Sequence, residues 1–456
     1  MGFHRRLAMS VSLAIMSAAA SGMASAAGFA LIENSASGMG NAYAGGAAGT
    51  KDASTVYFNP AGMSYLEGDQ VVMVGHYIVP TADFTNEGST AMQGTPSPSP
   101  LTGDDDGSNH KAFVPNAYIV KSLGNGGKFG FGLNAPFGLT TEYNDDWVGR
   151  YHGVRSAMKT ININPAYSFR MSDDVALGLG VNAQYVNVEL SSAVDFGSIC
   201  ALQELGGVLP AGTCTSAGLA PQQSDGFAVI SGEGWSYGAN LGLIWDINPK
   251  ARFGFAYRSA VKHDVDGDAE FSVPVNASFM TASGYFTDTG AEASVTLPAS
   301  TSLSLHYAFD DKTNIMADAT LTQWSSFDEL RVVYDSTQPD SVTTEDWQDS
   351  WRIAVGGDYR YSGDILFRAG VAYDQTPVAD AEHRTVRVPD SDRTWISVGL
   401  GYRYSKNINI DAGYAHLIIN DAKIDNTTEG ALAHTITGSY EASVDIVSVQ
   451  LTYEFQ

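Results

Sequence analysis

The sequence predicts an all-β membrane protein, a 14-stranded antiparallel outer-membrane β-barrel. Three observations carry that expectation: an export leader, a period-two alternation that recurs to the last residue, and connections that alternate between short and long. Only a closed barrel satisfies every strand's backbone groups inside lipid.

The leader comes first. Arg5 and Arg6 precede a largely apolar run from Leu7 to Ala20, and Ala24-Ser25-Ala26 supplies small residues at a cleavage site. That order is a secretory signal peptide over residues 1–26, with cleavage after Ala26. The run is too short for a stable membrane anchor, and nothing after it is long and apolar enough for a membrane-spanning helix.

The next stretch, 27–68, is rich in Gly, Ala and Ser and carries too little apolar surface for a core of its own. Asn59-Pro60 has a physical reading within it. Asn can cap a helix by accepting a backbone N–H, and Pro suits the first helical position. Spacing leaves two possibilities open: a plug in the barrel or one isolated helix start.

Alternation then takes over. At the C-terminus Val447, Val449, Leu451, Tyr453 and Phe455 share one face, and Ser448, Gln450 and Thr452 share the other. The same pattern sets Val175, Leu177, Leu179 and Val181 against Ala176, Gly178, Gly180 and Asn182. The polar faces carry glycine and small polar residues instead of the Lys and Glu of a solvated sheet, and aromatics gather at the ends of the apolar faces. Such segments begin near Val71, Phe113, Lys128, Lys159, Val175, Trp235, Arg252, Ala293, Asn314, Trp351, Ile365, Thr394, Asn407 and Val444. Their number is even, as single-chain bacterial barrels require. Turns such as RMSDD, DINPK and YSGD are short, whereas the stretches 191–233 and 266–292 are long and face outward. A barrel this wide cannot be filled by its own wall side chains, so it needs a pore or a plug.

Other functions are disfavoured on composition. The chain has 50 acidic and 25 basic side chains, a net charge of −25, and no basic patch for nucleic acid. Nine scattered histidines show no nucleophile–base spacing, so no enzyme is expected. No cofactor or metal set is visible. Cys200 and Cys214 are the two cysteines; export favours a disulfide between them, with two inert thiols as the alternative.

SGMGNAYAGGAA and DASTVYFNPAGMSYL closely resemble the hatch of the long-chain fatty acid outer-membrane transporter family (FadL/TodX type, OMPP1). NAPFGLTTEYND, WSYGANLGLIWDI, LPASTSLSLHYAF, WRIAVGGDYRY and VPDSDRTWISVGLGYRY extend the resemblance along the chain in order. It implies an N-terminal hatch over 27–68 that includes Asn59, Pro60 and Ala61, inside a barrel over 69–456. It implies passive uptake of hydrophobic compounds, long-chain fatty acids first, across the outer membrane of a Gram-negative cell. Capture would fall to the outward loops, where Phe271, Phe279 and Phe286 are exposed apolar candidates, and a Cys200–Cys214 bond would stiffen one of them. Release would pass sideways through a wall kink at Pro136 and Gly138; a strand that simply ends at Asn134 is the alternative. A carboxylate needs a cation or several donors. Arg331, Arg258 and Lys262 are the candidates, whereas Asn187 stands where a basic residue is expected, which leaves room for neutral or aromatic hydrocarbons. The expected surroundings are outer-membrane lipid and lipopolysaccharide, the barrel assembly machinery reading Phe455, and a monomeric state.

Overall fold

The structure, a computed structural model, describes residues 27–91, 99–124, 126–429 and 432–455. The expected leader therefore lies outside the described residues.

Fourteen antiparallel strands close into a barrel. They are β1 (Asp69–Asn86), β2 (Ala112–Ser122), β3 (Lys128–Asn134 and Gly138–Glu142), β4 (Arg155–Arg170), β5 (Val175–Asp195), β6 (Asp225–Asn248) and β7 (Ala251–Arg258 and Val261–Ser272). There follow β8 (Thr289–Leu297 and Ser300–Ala308), β9 (Thr313–Thr322 and Glu329–Tyr334), β10 (Ser350–Arg360), β11 (Ile365–Asp374), β12 (Arg393–Arg403), β13 (Ile408–Ile419 and Ala422–Thr427) and β14 (Thr435–Phe455). The barrel closes where β1 pairs with β14, from Asp69 opposite Phe455 to Asn86 opposite Gly438. Closure leaves no sheet edge to the lipid along that seam.

The alternation has the physical meaning expected of it. Val449 is 55% exposed on the outer surface, whereas Ser448, Gln450 and Thr452 are buried inside. Leu179, Val181, Ile396, Val398 and Leu400 likewise face outward. Polar inward, apolar outward is the inverse of a soluble barrel and fits a lipid surround.

Two stretches expected as outward loops are shorter than expected. β5 continues to Asp195 and β6 starts at Asp225, so the connection narrows from 191–233 to 196–224. β7 continues to Ser272 and β8 starts at Thr289, which narrows the next one to 273–288. Beyond the apolar band the outward side chains include Asn187, Glu189, Ser231 and Glu233, so the alternation fades while the backbone ladder continues. In these connections the helices Phe196–Leu205 and Thr213–Ala217 are joined by a Cys200–Cys214 disulfide. Phe196, Cys200, Leu219, Ala277 and Met280 form a small apolar cluster around it.

Residues 27–66 lie inside the barrel. Short helical turns at Ala36–Met39, Gly46–Ala48, Thr55–Phe58 and Pro60–Tyr65 touch the inner wall on several sides. Ala36 N–H donates to Gln450 of β14, Ala47 N–H to Ser304 of β8, and Ser64 bonds Ser168 of β4. The inward glycines make this close approach possible. A Cβ on Gly178 of β5 would overlap the Pro60–Ala61 peptide, and one on Gly242 of β6 would overlap Asn59.

Candidate functional site

Asn59 is fully buried and fixes the lumen segment to the wall. Its side-chain oxygen accepts from Ala61 N–H at 3.0 Å and so caps the 3₁₀ turn that Pro60 opens. Its Nδ2 donates to the carbonyls of Ala47 (2.6 Å), Leu243 (3.1 Å) and Phe255 (3.1 Å). One carboxamide thus ties the turn to a second turn and to the adjacent strands β6 and β7. Ala61 is also fully buried, against Ala176 and Ile244. The expected helix start is present, as a 3₁₀ turn.

The wall is unzipped at β3. Its lower piece pairs with β2, from Ser122–Lys128 to Ala117–Leu133. Residues 135–137 break the strand, and the upper piece, from Gly138, pairs with β4. Among the described residues, no ladder pair joins β2 above Ala117 to β3. Pro136 has no N–H to donate, which is why the ladder stops there. Because strand resumes on the same neighbour, Pro136 marks a bend instead of a strand end. The lumen segment spans the gap: Leu31 N–H donates to Pro136 O (2.8 Å), and Gly138 N–H donates to Phe29 O (2.9 Å). From the β2 side, Asn116 donates to Glu33 O at 2.8 Å.

Behind the gap lies a cavity. Its lining runs from Pro136 and Phe137 at the bend, past Leu31, Tyr57 and Phe58, to Arg258, Arg352 and Asp374. Phe137 also belongs to an aromatic cluster, 6.3 Å from Phe29 and 6.1 Å from Trp324, with Trp347 4.9 Å from Trp324. Arg258 is held in place by Asn182 (2.6 Å), by Tyr57 O (3.0 Å) and by the Tyr57 ring at 4.5 Å. Glu33 lies nearby with no hydrogen-bond partner for its carboxylate oxygens, and burial pushes its pKa up to about 7.

Of the candidate cations, Arg258 alone lines this cavity. Arg331 sits on an exposed outer hairpin and pairs with Glu329 (2.7 Å) and Asp340 (3.1 Å). Lys262 is exposed and pairs with Asp264 at 3.3 Å. Asn187 lies on the outward face of β5, its Nδ2 donating to Gly232 O at 3.5 Å. Phe271 and Phe286 pack together at 6.0 Å, Phe286 lies 4.9 Å from Phe196, and Phe279 stays 40% exposed. Sequence reasoning missed Arg352 and Asn116. In WRIAV, outward Trp351 and Ile353 already turn Arg352 inward, so alternation alone could have flagged it.

A closed barrel with apolar outward faces, an occupied lumen and a bent wall strand defines a class: outer-membrane β-barrel proteins. The comparisons agree with that class. Residues 17–455 match the family model described as outer membrane protein transport protein (OMPP1/FadL/TodX), so the chain belongs to this family. The long-chain fatty acid transport protein of Escherichia coli K12 is 30% identical over 429 residues, 91% of this chain and 92% of that one. The crystal structure of a Pseudomonas aeruginosa FadL homologue covers 94% of this chain and 100% of its own, with TM-score 0.83 and 24% identity. That of the Pseudomonas putida toluene transporter TodX has TM-score 0.66 and 19% identity, covering 94% and 99%. The last two likenesses speak to the fold alone. The chain is an outer-membrane transport protein, and its family is one of transporters, not enzymes.

Proposed function

We propose that this protein takes up long-chain fatty acids by loop capture, binding in the lumen cavity and lateral release through the wall at Pro136. One observation carries the reading: a single cavity reaches from the unzipped wall at Pro136 and Phe137 to the half-buried cation Arg258. An amphiphile can then keep its head group on donors while its chain meets apolar wall and, beyond it, lipid. Around the bound state, residues 27–66 act as the plug, and Leu205, Val208 and Phe279 offer exposed apolar surface for capture at the outer loops.

A second reading is uptake of neutral aromatic hydrocarbons. The aromatic cluster beside Phe137 favours it, as does the pairing of Arg331 with acids.

Uptake of labelled oleate and of toluene into cells lacking their own transporter separates the two. Oleate transport that exceeds toluene transport supports the first reading, and the reverse order supports the second. Replacing Pro136 and Gly138 together by threonine supplies the missing N–H and favours continuous strand; uptake should fall at least about tenfold while the barrel assembles normally. Unchanged uptake by that variant would reject lateral release.

A further inference from the structure

The lumen segment begins against two buried acids of the wall and its outer connection. Ala27 is 6% exposed and Phe29 4%. Ala27 N–H donates to the carboxyl of Asp374 on β11, and Gly28 N–H donates to Asp390 Oδ2 at 2.8 Å. Asp390 has further donors in Thr376 Oγ1 (2.8 Å) and Arg393. Asp374 differs. It is 3% exposed, and among the described residues its Oδ2 has no hydrogen-bond partner.

Gly28 fixes which nitrogen meets Asp374. Its φ is +65°, and a Cβ there would lie 2.6 Å from Trp347 and 2.9 Å from Trp324. The segment therefore cannot slide by one residue to present a different nitrogen.

A buried carboxylate oxygen without a donor is costly. A peptide nitrogen at residue 27 cannot serve it, because its single hydrogen is already given. The expected leader, however, ends between Ala26 and Ala27. Hydrolysis of that amide takes up one water: Ala26 leaves with the leader as a carboxylate, and the nitrogen of Ala27 becomes an ammonium. An ammonium brings three hydrogens and a positive charge to the unused carboxylate oxygen.

We propose that Asp374 is the receptor for the α-amino group of Ala27 in the processed chain, so that the lumen segment locks into the barrel only once the leader is gone. Any residue kept before Ala27 removes two of those hydrogens and the charge, and has to continue from an enclosed point. The lock goes beyond the uptake reading and does not depend on which solute is carried.

Amine labelling of the protein purified from outer membranes tests the lock. Mass spectrometry should find Ala27 as the first residue. In the folded protein its α-amine should acetylate at least about tenfold more slowly than after unfolding, whereas exposed Lys262 should label at similar rates in both states. D374N should abolish that protection and speed hydrogen exchange in residues 27–31 while the heat-resistant barrel remains. A serine inserted between Ala26 and Ala27 leaves Asp374 intact but moves the ammonium by one residue, about 3.8 Å, and should have the same effect. That variant decides the matter even if D374N does not assemble. A first residue other than Ala27, an α-amine as reactive folded as unfolded, or full protection in either variant would overturn the proposal.

Discussion

At Asn59 one carboxamide serves four backbone groups: it accepts from Ala61 and donates to Ala47, Leu243 and Phe255. The bonds to Ala47 and Ala61 are buried and those to Leu243 and Phe255 half-buried, so truncation strands acceptors that water reaches poorly. Asn59→Ala should weaken docking of the lumen segment by about 2–4 kcal/mol, while the wall, held by its own ladders, still assembles. Hydrogen exchange should speed up within residues 27–66 and stay unchanged in β1 and β14. A wall that fails to form would contradict the view that the segment is a passenger of the barrel. Gly242→Ala should reproduce the defect from the other side, because its Cβ would enter the space of the Asn59 oxygen.

Among elements, the outer connection 196–224 depends on more than its own helices. Phe196–Leu205 and Thr213–Ala217 are each too short to be stable alone, and the Cys200–Cys214 bond joins them across a separation of 14 residues. A bond of that span stabilises by about 3 kcal/mol, chiefly by restricting the unfolded loop. The double replacement C200S/C214S should therefore hasten protease cleavage near Leu205 and Val208, both well exposed, without loss of the heat-resistant barrel. If that connection captures ligand, uptake should fall severalfold; a loosened loop with full uptake would remove it from the capture path.

Taken as a whole, the molecule is a rigid wall carrying an outer cap with opposed pH responses. His152, in the connection between β3 and β4, is half-buried, and desolvation above all holds its pKa at about 3 against an ordinary 6.5. The folded cap refuses a proton that the unfolded chain accepts, so stability present above pH 6.5 is lost as pH falls toward 3. Glu345, before β10, is pushed by burial up to about 8 from 4.5, and Trp347 donates to its Oε2 at 2.9 Å. Here the protonated form is favoured by folding, so that contribution is complete below pH 4.5 and lost as pH rises through 8. Protease resistance of the outer loops should be greatest between about pH 4.5 and 6.5 and decline below and above that window. H152N should flatten the acid limb and E345Q the alkaline one; profiles identical to the unaltered protein would refute both assignments.

The strand wall was legible in the amino-acid order because lipid outside and a polar lumen inside impose a period of two on every strand. Val447 to Phe455 shows that rule residue by residue, and Pro136 announced a broken ladder because it lacks an N–H. Asn59-Pro60 announced a turn for equally local reasons. What the sequence by itself could not determine is which residues meet across the lumen. Arg331, Lys262 and Arg258 are equivalent as letters, yet the fold gives the first two acidic partners on the surface and turns the third inward beside Tyr57. Arg352, Tyr43 and Pro136 come from distant parts of the chain and share one cavity only because β10, the lumen segment and the β3 bend are brought together by barrel closure. Local chemistry writes the period of a strand, but the composition of a cavity depends on contacts between residues hundreds of positions apart.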